Sequence, residues 1–287
     1  MANYQIITDS CCDLPASKIQ ELDISVVSLN MLFRGETRQD AVTDEIKEVY
    51  DALRAGESAS TSAVNPDGWA CAIEPVLRSG KDALVLTFSS GLSTTYQSAV
   101  IAAQELKEKY PERTINVVDT RCASLGQGLL VWYACDKRSA GMSLQELTDW
   151  VEDNKQSLCQ WFTVDDLMYL KRGGRVSAAT ALVGTMLKIK PVLHVDEEGH
   201  LINVSKVRGR KASIDALADK VMELALPGQN DRITICHGDC IEDAKYLEQV
   251  LREKLGVKEV FIGYTGAVIG SHSGPGTLAV FFLGKKR

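Results

Sequence analysis

Hydroxyl-bearing residues gather where predicted strands end, a pattern suited to holding an anion. Ser89-Ser90-Gly91-Leu92-Ser93 follows an apolar strand and opens a long helix, and Thr61-Ser62 lies in a loop of small residues. Hydroxyl groups and the N–H groups at a helix N-terminus favour negative charge, and Gly91 would let a ligand approach the backbone. Ser93 alone also fits a simple helix cap, and Thr61-Ser62 a plain loop, so only their convergence indicates an anion site.

His272 lies in a glycine-rich segment, Gly270–Gly276, and two interpretations are open for it. It can donate to an anion or relay a proton, or it is an ordinary histidine of a surface loop. A serine hydrolase or acyltransferase that uses Ser93 and His272 is the alternative enzyme interpretation. However, Gly91-Leu92-Ser93-Thr94-Thr95 lacks the second glycine of a G-x-S-x-G turn, and no third catalytic residue stands out.

Two further motifs have weaker chemical interpretations. Cys236–Cys240 (CHGDC) supplies metal-type ligands, but zinc sites usually pair two such knuckles and no second one is found, so we expect no metal. Lys171–Arg175 does not follow the phosphate-loop pattern, and no G-x-G-x-x-G follows a strand, so nucleotide binding has no support. This basic turn, with Lys171, Arg172 and Arg175, is either a solvated loop or a docking surface for an acidic partner.

The composition is that of an ordinary globular protein and excludes several classes of function. The chain has 287 residues, which suggests two domains, and its net charge of −6 disfavours a nucleic acid partner. Its first residues lack the pattern of a signal peptide, and no apolar run reaches the length of a membrane span. With eight cysteines and no secretory signal, we expect free thiols and a cytoplasmic protein.

Predicted strands and helices alternate through the first half of the chain, and these elements must position the candidate residues. Such alternation predicts parallel βαβ units in a doubly wound sheet with helices on both faces. The second half contains a predicted hairpin, Ile189–Val195 with Leu201–Val207, and is typical of an α+β domain with an antiparallel sheet. We therefore expect an α/β fold with two domains, residues 1–158 and 159–287, and a ligand between them.

Local signals predict where several elements begin. Asn65-Pro66 is a cap and first-turn pair, and Ser143 forms a capping box with Glu146. One strand is predicted over Asp23–Phe33 and a loop over Ser58–Val64. A helix of small and apolar residues is predicted over Ser177–Leu187.

These motifs together resemble the DegV family. The matching segments are Thr8-Asp9-Ser10 with Asp13-Leu14-Pro15, Thr61-Ser62, Ser89–Ala99, Leu170–Arg175 and His272–Gly276. They follow the order and spacing of the family from about residue 5 to residue 283. The serine-glycine motif and the terminal histidine-glycine motif are fairly specific.

The resemblance implies a long-chain fatty-acid-binding protein without catalytic activity or a cofactor of its own. Members of this kind act as the FakB-type subunit of a bacterial fatty acid kinase. They present the acyl carboxylate to a separate kinase subunit, which phosphorylates it with ATP, and they carry the acyl-phosphate to phospholipid synthesis. The preferred chain length, the oligomeric state and the presence of a cognate kinase do not follow from the sequence.

The resemblance also implies roles for individual residues. By motif position, Thr61 and Ser93 hold the carboxylate with His272 nearby, and Ser62 and Thr94 assist through backbone N–H groups. The implied contacts for the kinase or the phosphate are Arg172, Arg175 and Arg208. Burial of an acyl chain contributes about 0.8 kcal/mol per methylene. The helix predicted at Ser177–Leu187 would line an acyl tunnel or pack as an ordinary core helix.

Overall fold

The chain folds around two large β-sheets with a helical layer between them, in a computed structural model that describes residues 3–40, 45–177, 188–285 and 287. The strands are β1 (Tyr4–Asp9), β2 (Ser25–Val27), β3 (Asn30–Phe33), β4 (Glu36–Gln39), β5 (Ser60–Ser62), β6 (Asp82–Thr87), β7 (Ile115–Asp119), β8 (Leu158–Thr163), β9 (Ile189–Val195), β10 (Leu201–Arg208), β11 (Arg232–His237), β12 (Glu259–Tyr264) and β13 (Leu278–Leu283). The helices are α1 (Ala16–Glu21), α2 (Ile46–Arg54), α3 (Pro66–Arg78), α4 (Thr95–Lys109), α5 (Leu125–Ser139), α6 (Leu144–Asn154), α7 (Leu167–Arg172), α8 (Arg210–Leu224), α9 (Ile241–Leu255) and α10 (Ala267–Ser273).

Four parallel strands form the first sheet, in the order β2–β1–β6–β7. The inner strands β1 and β6 pair from Tyr4 opposite Asp82 and are buried over nearly their whole length. Continuous burial is expected for strands that helices cover on both faces. The predicted doubly wound parallel sheet is therefore confirmed.

The second sheet has six strands, in the order β10–β9–β8–β13–β11–β12. Among the described strands its pairs are antiparallel except for β11 with β12. The predicted hairpin is present as β9 and β10, with a register shift between Asn203 and Ser205. The prediction of a second part rich in antiparallel strands is also confirmed.

Helices form three layers around these sheets. The first layer contains α3 and α4, which pack on one face of the parallel sheet through residues such as Trp69, and α2, which packs against α10. The middle layer contains α5, which contacts strands of the six-stranded sheet and is buried on nearly all sides. The outer layer, α8 and α9, covers the far face of the six-stranded sheet. A helix between two sheets must be apolar almost all round, as α5 is.

Local signals located several helix starts correctly. Asn65 accepts a hydrogen bond from the Gly68 N–H at 2.8 Å and caps α3. The capping box of Ser143 and Glu146 is formed at the start of α6. The long helix expected to open with Ser89–Ser93 is α4, which begins at Thr95, so Ser93 lies in the preceding turn.

Non-local strand pairing accounts for the differences in the first half. The single strand predicted over Asp23–Phe33 is two strands, β2 in the parallel sheet and β3 in a small antiparallel sheet, β4–β3–β5. The segment predicted as a loop, Ser58–Val64, contains β5, in which Thr61 lies opposite Met31 of β3. Small polar residues carry little strand signal, so tertiary contacts decide this pairing.

The structure does not test two predictions, the helix over Ser177–Leu187 and the boundary between the two domains. The helix predicted over Ser177–Leu187 falls on residues 178–187, which lie outside the described residues. The strands of the parallel and small sheets all precede residue 158, and those of the six-stranded sheet begin there. Because α5 packs against the six-stranded sheet as well, the division into domains 1–158 and 159–287 stays a prediction.

Candidate functional site

A cavity of about 460 Å³ is lined by residues of both halves of the chain. Most of its wall is apolar, and the larger apolar side chains that line it are Leu29, Phe88, Leu92, Phe162, Leu170, Val195, Leu201, Val268, Ile269 and Phe281. Cavities of a few hundred Å³ with an apolar wall and a few polar groups are typical of small-molecule sites. We call this space the acyl cavity, after the ligand that the family resemblance implies.

All five residues predicted to surround a carboxylate line the acyl cavity: Thr61, Ser62, Ser93, Thr94 and His272. The Thr61 Oγ1 and the His272 Nε2 are 2.7 Å apart and share a hydrogen bond. Thr61 is in β5, whose pairing with β3 brings its hydroxyl to this place. The hydroxyl and the imidazole thus form a polar pair beside an apolar space.

Ser93 lies in the turn that leads into α4. Its Oγ is 2.8 Å from the Thr95 Oγ1 and also accepts the Thr95 N–H at 3.2 Å. The first N–H groups of the helix α4 (Thr95–Lys109) have no partner within the helix and carry partial positive charge. Ser93 therefore stands where donors and a helix N-terminus coincide, as the sequence pattern predicted. Thr94 and Ser62 are more exposed than Ser93.

His272 occupies the last turn of α10 and is kept close to the turn after α7. A Cβ added to Gly173 would lie 2.2 Å from the His272 Nδ1, so only glycine fits beside the imidazole. Burial, and to a lesser degree the Arg175 charge, lowers the pKa of His272 to about 4. The imidazole is consequently neutral at neutral pH, and one of its nitrogens donates while the other accepts.

Arg175 supplies a positive charge beside this pair. Its Nη2 donates to the Leu92 carbonyl at 3.1 Å and its Nη1 to the Gly173 carbonyl. These bonds connect the turn after α7 to the segment Ser89–Ser93, which we call the serine loop. The side chain is half-buried and burial lowers the pKa of its guanidinium, so Arg175 is a cation held partly out of water.

A second cavity of about 360 Å³ adjoins the first and shares Thr61, Arg175 and His272 with it. Its remaining walls include Arg172, which stacks over the Tyr169 ring at 4.5 Å. We call this space the outer cavity. The basic turn that the sequence left open between a solvated loop and a docking surface thus borders both cavities. Arg208, at the end of β10, lines neither of them.

The β9–β10 hairpin closes against the serine loop, a contact that sequence reasoning missed. The Ser89 hydroxyl donates to the Gly199 carbonyl at 2.9 Å. A Cβ on Gly91 would lie 2.8 Å from the same carbonyl group. Gly91 thus permits a close approach of the hairpin backbone.

The alternative enzyme and metal interpretations gain no support from the geometry. The Ser93 hydroxyl bonds to Thr95, whereas His272 bonds to Thr61. In the Cys236–Cys240 segment, the Cys240 N–H donates to the His237 Nδ1 at 3.3 Å. Within the described parts of the chain, no group of three or more His, Cys, Asp or Glu side chains is arranged to hold a metal ion.

Sequence comparison places the chain among known proteins. The profile for uncharacterised proteins of the DegV family matches residues 3–285. The chain belongs to the DegV family. It is 46% identical, over 286 residues, to a DegV domain-containing protein of Clostridium perfringens, and the match covers 99% of this chain and 98% of that one. The family predicted from the motifs is therefore confirmed.

Solved structures share the fold over the whole chain. One is a DegV family protein from Thermus thermophilus that is described for its fatty acid binding. It is 33% identical to this chain with a TM-score of 0.86, and the match covers 98% of this chain and 99% of the Thermus chain. Another is a DegV family protein from Ruminococcus gnavus, solved with vaccenic acid. It is 26% identical to this chain with a TM-score of 0.87, and the match covers 98% of this chain and 100% of the Ruminococcus chain. Across the described ranges of the present chain, no helix is long and apolar enough to cross a membrane.

Proposed function

We propose that the acyl cavity holds one long-chain fatty acid, with its carboxylate at Thr61, Ser93 and His272. The observation that carries this proposal is the single apolar space whose wall contains all five of the predicted hydroxyl and imidazole residues. DegV proteins that bind fatty acids share this fold and support the choice of ligand. Burying roughly a dozen methylenes would contribute about 10 kcal/mol before the costs of binding.

The carboxylate is the expensive part of such a ligand, because removing it from water requires donors to replace the lost hydration. The Ser93 and Thr61 hydroxyls, the neutral His272 imidazole and the N-terminus of α4 are suitable donors. Arg175 adds a positive charge that is only partly screened by water. We assign Ser62 and Thr94 to assisting contacts through their backbone N–H groups.

We further propose that the protein presents the bound carboxylate to a separate kinase subunit and has no catalytic activity of its own. The outer cavity supports this, since it reaches the Thr61–His272 pair and has further wall residues that the acyl cavity does not share. Arg172 and Arg175 border it, and we assign them to the phosphate or to the kinase. Arg208 is retained as a candidate for contact with the kinase alone, because it lies outside both cavities.

The first experiment is mass spectrometry of small molecules extracted from the purified, denatured protein. A long-chain fatty acid in a ratio of about one per chain is expected, and its identity would give the chain preference. An empty extract, followed by no binding of added palmitate or oleate, would refute the ligand assignment. Turnover of an activated ester that Ser93→Ala abolishes would then favour the hydrolase alternative.

Presentation to a kinase is tested separately with the protein loaded with fatty acid. A DegV-dependent fatty acid kinase should consume ATP with the wild-type protein and much less with Arg172→Ala, while both bind fatty acid equally. Equal phosphorylation of free and protein-bound fatty acid would contradict the role in presentation.

A further inference from the structure

Helix α10 separates the two cavities, so its position decides the geometry of the carboxylate site. Val268, Ile269 and Ser273 line the acyl cavity, Ser271 lines the outer cavity, and His272 lines both. With only seven residues, α10 is too short to hold its shape by its own hydrogen bonds. Its position must come from contacts with the rest of the fold.

A buried carboxylate, Asp40, holds the N-terminal end of α10. Only 2% of Asp40 is exposed. Its Oδ1 accepts the Val268 N–H at 3.1 Å, and its Oδ2 accepts the Ser10 hydroxyl at 2.8 Å. The Ser10 Oγ in turn accepts the Leu29 N–H at 3.0 Å. This chain of bonds ties α10 to the end of β1 and to the segment before β3.

Two more groups from the first part of the chain contact the same helix. The Tyr50 hydroxyl donates to the Thr265 carbonyl at 2.8 Å, and a Cβ on Gly270 would lie 2.5 Å from that hydroxyl oxygen. Asp13 is also buried and packs against Gly266, where an added Cβ would lie 2.4 Å from its Oδ1. The helix is thus held at its start and along one side.

Burying the Asp40 carboxylate is costly, so its hydrogen bonds are needed to stabilise it. Burial raises the pKa of this carboxyl, and the Ser10 hydroxyl and the α10 N–H groups act against that rise. A buried carboxylate is tolerated only where such donors meet it, and a buried N–H that loses its acceptor destabilises the structure around it.

We propose that Asp40 is a positioning residue: it fixes the start of α10 so that His272, at the other end, meets the ligand carboxylate and Thr61. This inference rests on the proposed function, in which His272 contacts the carboxylate. Asp40 itself does not line either cavity, so it acts through the elements that it holds, chiefly α10.

The test compares binding of palmitic acid with binding of hexadecanol, which has the same chain but no carboxylate. In Asp40→Ala, the Val268 N–H loses its acceptor and α10 shifts. We expect the affinity for the acid to fall about tenfold and the affinity for the alcohol to stay within about twofold. The control is Val221→Ala, a fully buried residue of α8 in the outer layer, which should lower stability and leave the acid-to-alcohol ratio unchanged.

A milder variant covers the case in which Asp40→Ala does not fold. Tyr50→Phe removes the hydrogen bond to the Thr265 carbonyl, two residues before α10, and keeps the ring, and it should lower the same ratio by a smaller factor. A second readout is the His272 pKa, followed by NMR: a displaced, better hydrated imidazole should titrate above the wild-type midpoint in either variant.

The outcomes separate the two ideas. If the wild-type protein prefers acid over alcohol and the variants keep the wild-type ratio and His272 midpoint, the positioning role of Asp40 is refuted. If the wild-type protein shows no preference for the acid, the proposed carboxylate site fails. The His272 midpoint of the variants then still decides whether Asp40 positions this helix.

Discussion

The Thr61 hydroxyl and the His272 imidazole come from residues 211 positions apart and meet at 2.7 Å. Around them, single groups have distinct tasks. Ser93 adds a hydroxyl at a helix N-terminus, Arg175 adds charge, and Gly173 leaves room for the imidazole. The low pKa of His272 makes the imidazole a neutral hydrogen-bonding group, so charge attraction for a carboxylate comes from Arg175 and from the N-terminus of α4.

Loss of a carboxylate donor should weaken binding. Ser93→Ala and Thr61→Val each leave a buried charged group short of a hydrogen bond, and we expect the affinity for fatty acid to fall by about 1–3 kcal/mol. Isothermal titration with palmitate measures this. Ser98→Ala, a half-buried serine on the same helix α4 that lines neither cavity, is the control and should bind like the wild type. Wild-type affinity in both test variants would place the carboxylate elsewhere.

A bound carboxylate should raise the pKa of His272. Burial and Arg175 hold this pKa at about 4, and a nearby negative charge favours the protonated imidazole. NMR titration of the imidazole should therefore show a higher midpoint with palmitate than without ligand. Hexadecanol is the control, because it fills the apolar cavity without adding charge. An equal midpoint with acid and alcohol would mean that His272 does not adjoin the carboxylate.

The residues of the candidate site lie mainly on short elements and turns. The strand β5 has three residues and α10 has seven, yet they carry Thr61 and His272. The turn after α7 adds Gly173 and Arg175, and the turn before α4 adds Ser93. Because short elements have little stability of their own, their geometry depends on packing against the large sheets and the helical layers.

Two neighbouring glycines after α7 should respond differently to alanine. Gly173 has an ordinary backbone, but a Cβ added there would lie 2.2 Å from the His272 Nδ1. Because the imidazole would have to move, Gly173→Ala should weaken fatty acid binding. Gly174 has a φ of +73° and open space around it, so Gly174→Ala should lower stability by about 1 kcal/mol with little change in affinity. Binding and thermal unfolding of both variants test this; equal affinities would show that the histidine moves aside at no cost.

At the scale of the whole molecule, residues from both ends of the chain enclose the acyl cavity. The hairpin β9–β10 closes on the serine loop through Ser89 and Gly199. Arg287 connects the end of the chain to residues of both halves. Its guanidinium donates to the carbonyl groups of Arg121 at 2.7 Å, Lys155 at 2.8 Å and Leu158 at 3.1 Å. The cavity thus exists only when the two sheets and these contacts are assembled.

Filling the apolar wall should shorten the accepted chain. Ala279 of β13 is 5% exposed and lines the acyl cavity. Ala279→Leu should reduce the affinity for an 18-carbon acid more than for a 12-carbon acid, because each methylene that no longer fits loses about 0.8 kcal/mol. Competition binding of a series of saturated acids measures the profile. A uniform loss at all chain lengths would instead indicate damage to the carboxylate site or to the fold.

The sequence by itself determined the parallel sheet, the antiparallel-rich second part and the family, and it predicted the candidate residues for a carboxylate site. Hydrophobic alternation, caps such as Asn65 and Ser143, and the family motifs are local signals that require no knowledge of distant contacts. Only the tertiary structure decided that Ser60–Ser62 is a strand, that Gly91 faces a hairpin, that a second cavity adjoins the first, and that Asp40 holds α10. These features depend on contacts between segments that are far apart in the chain. The energy of such contacts depends on both partners, so the local sequence of one segment does not predict it.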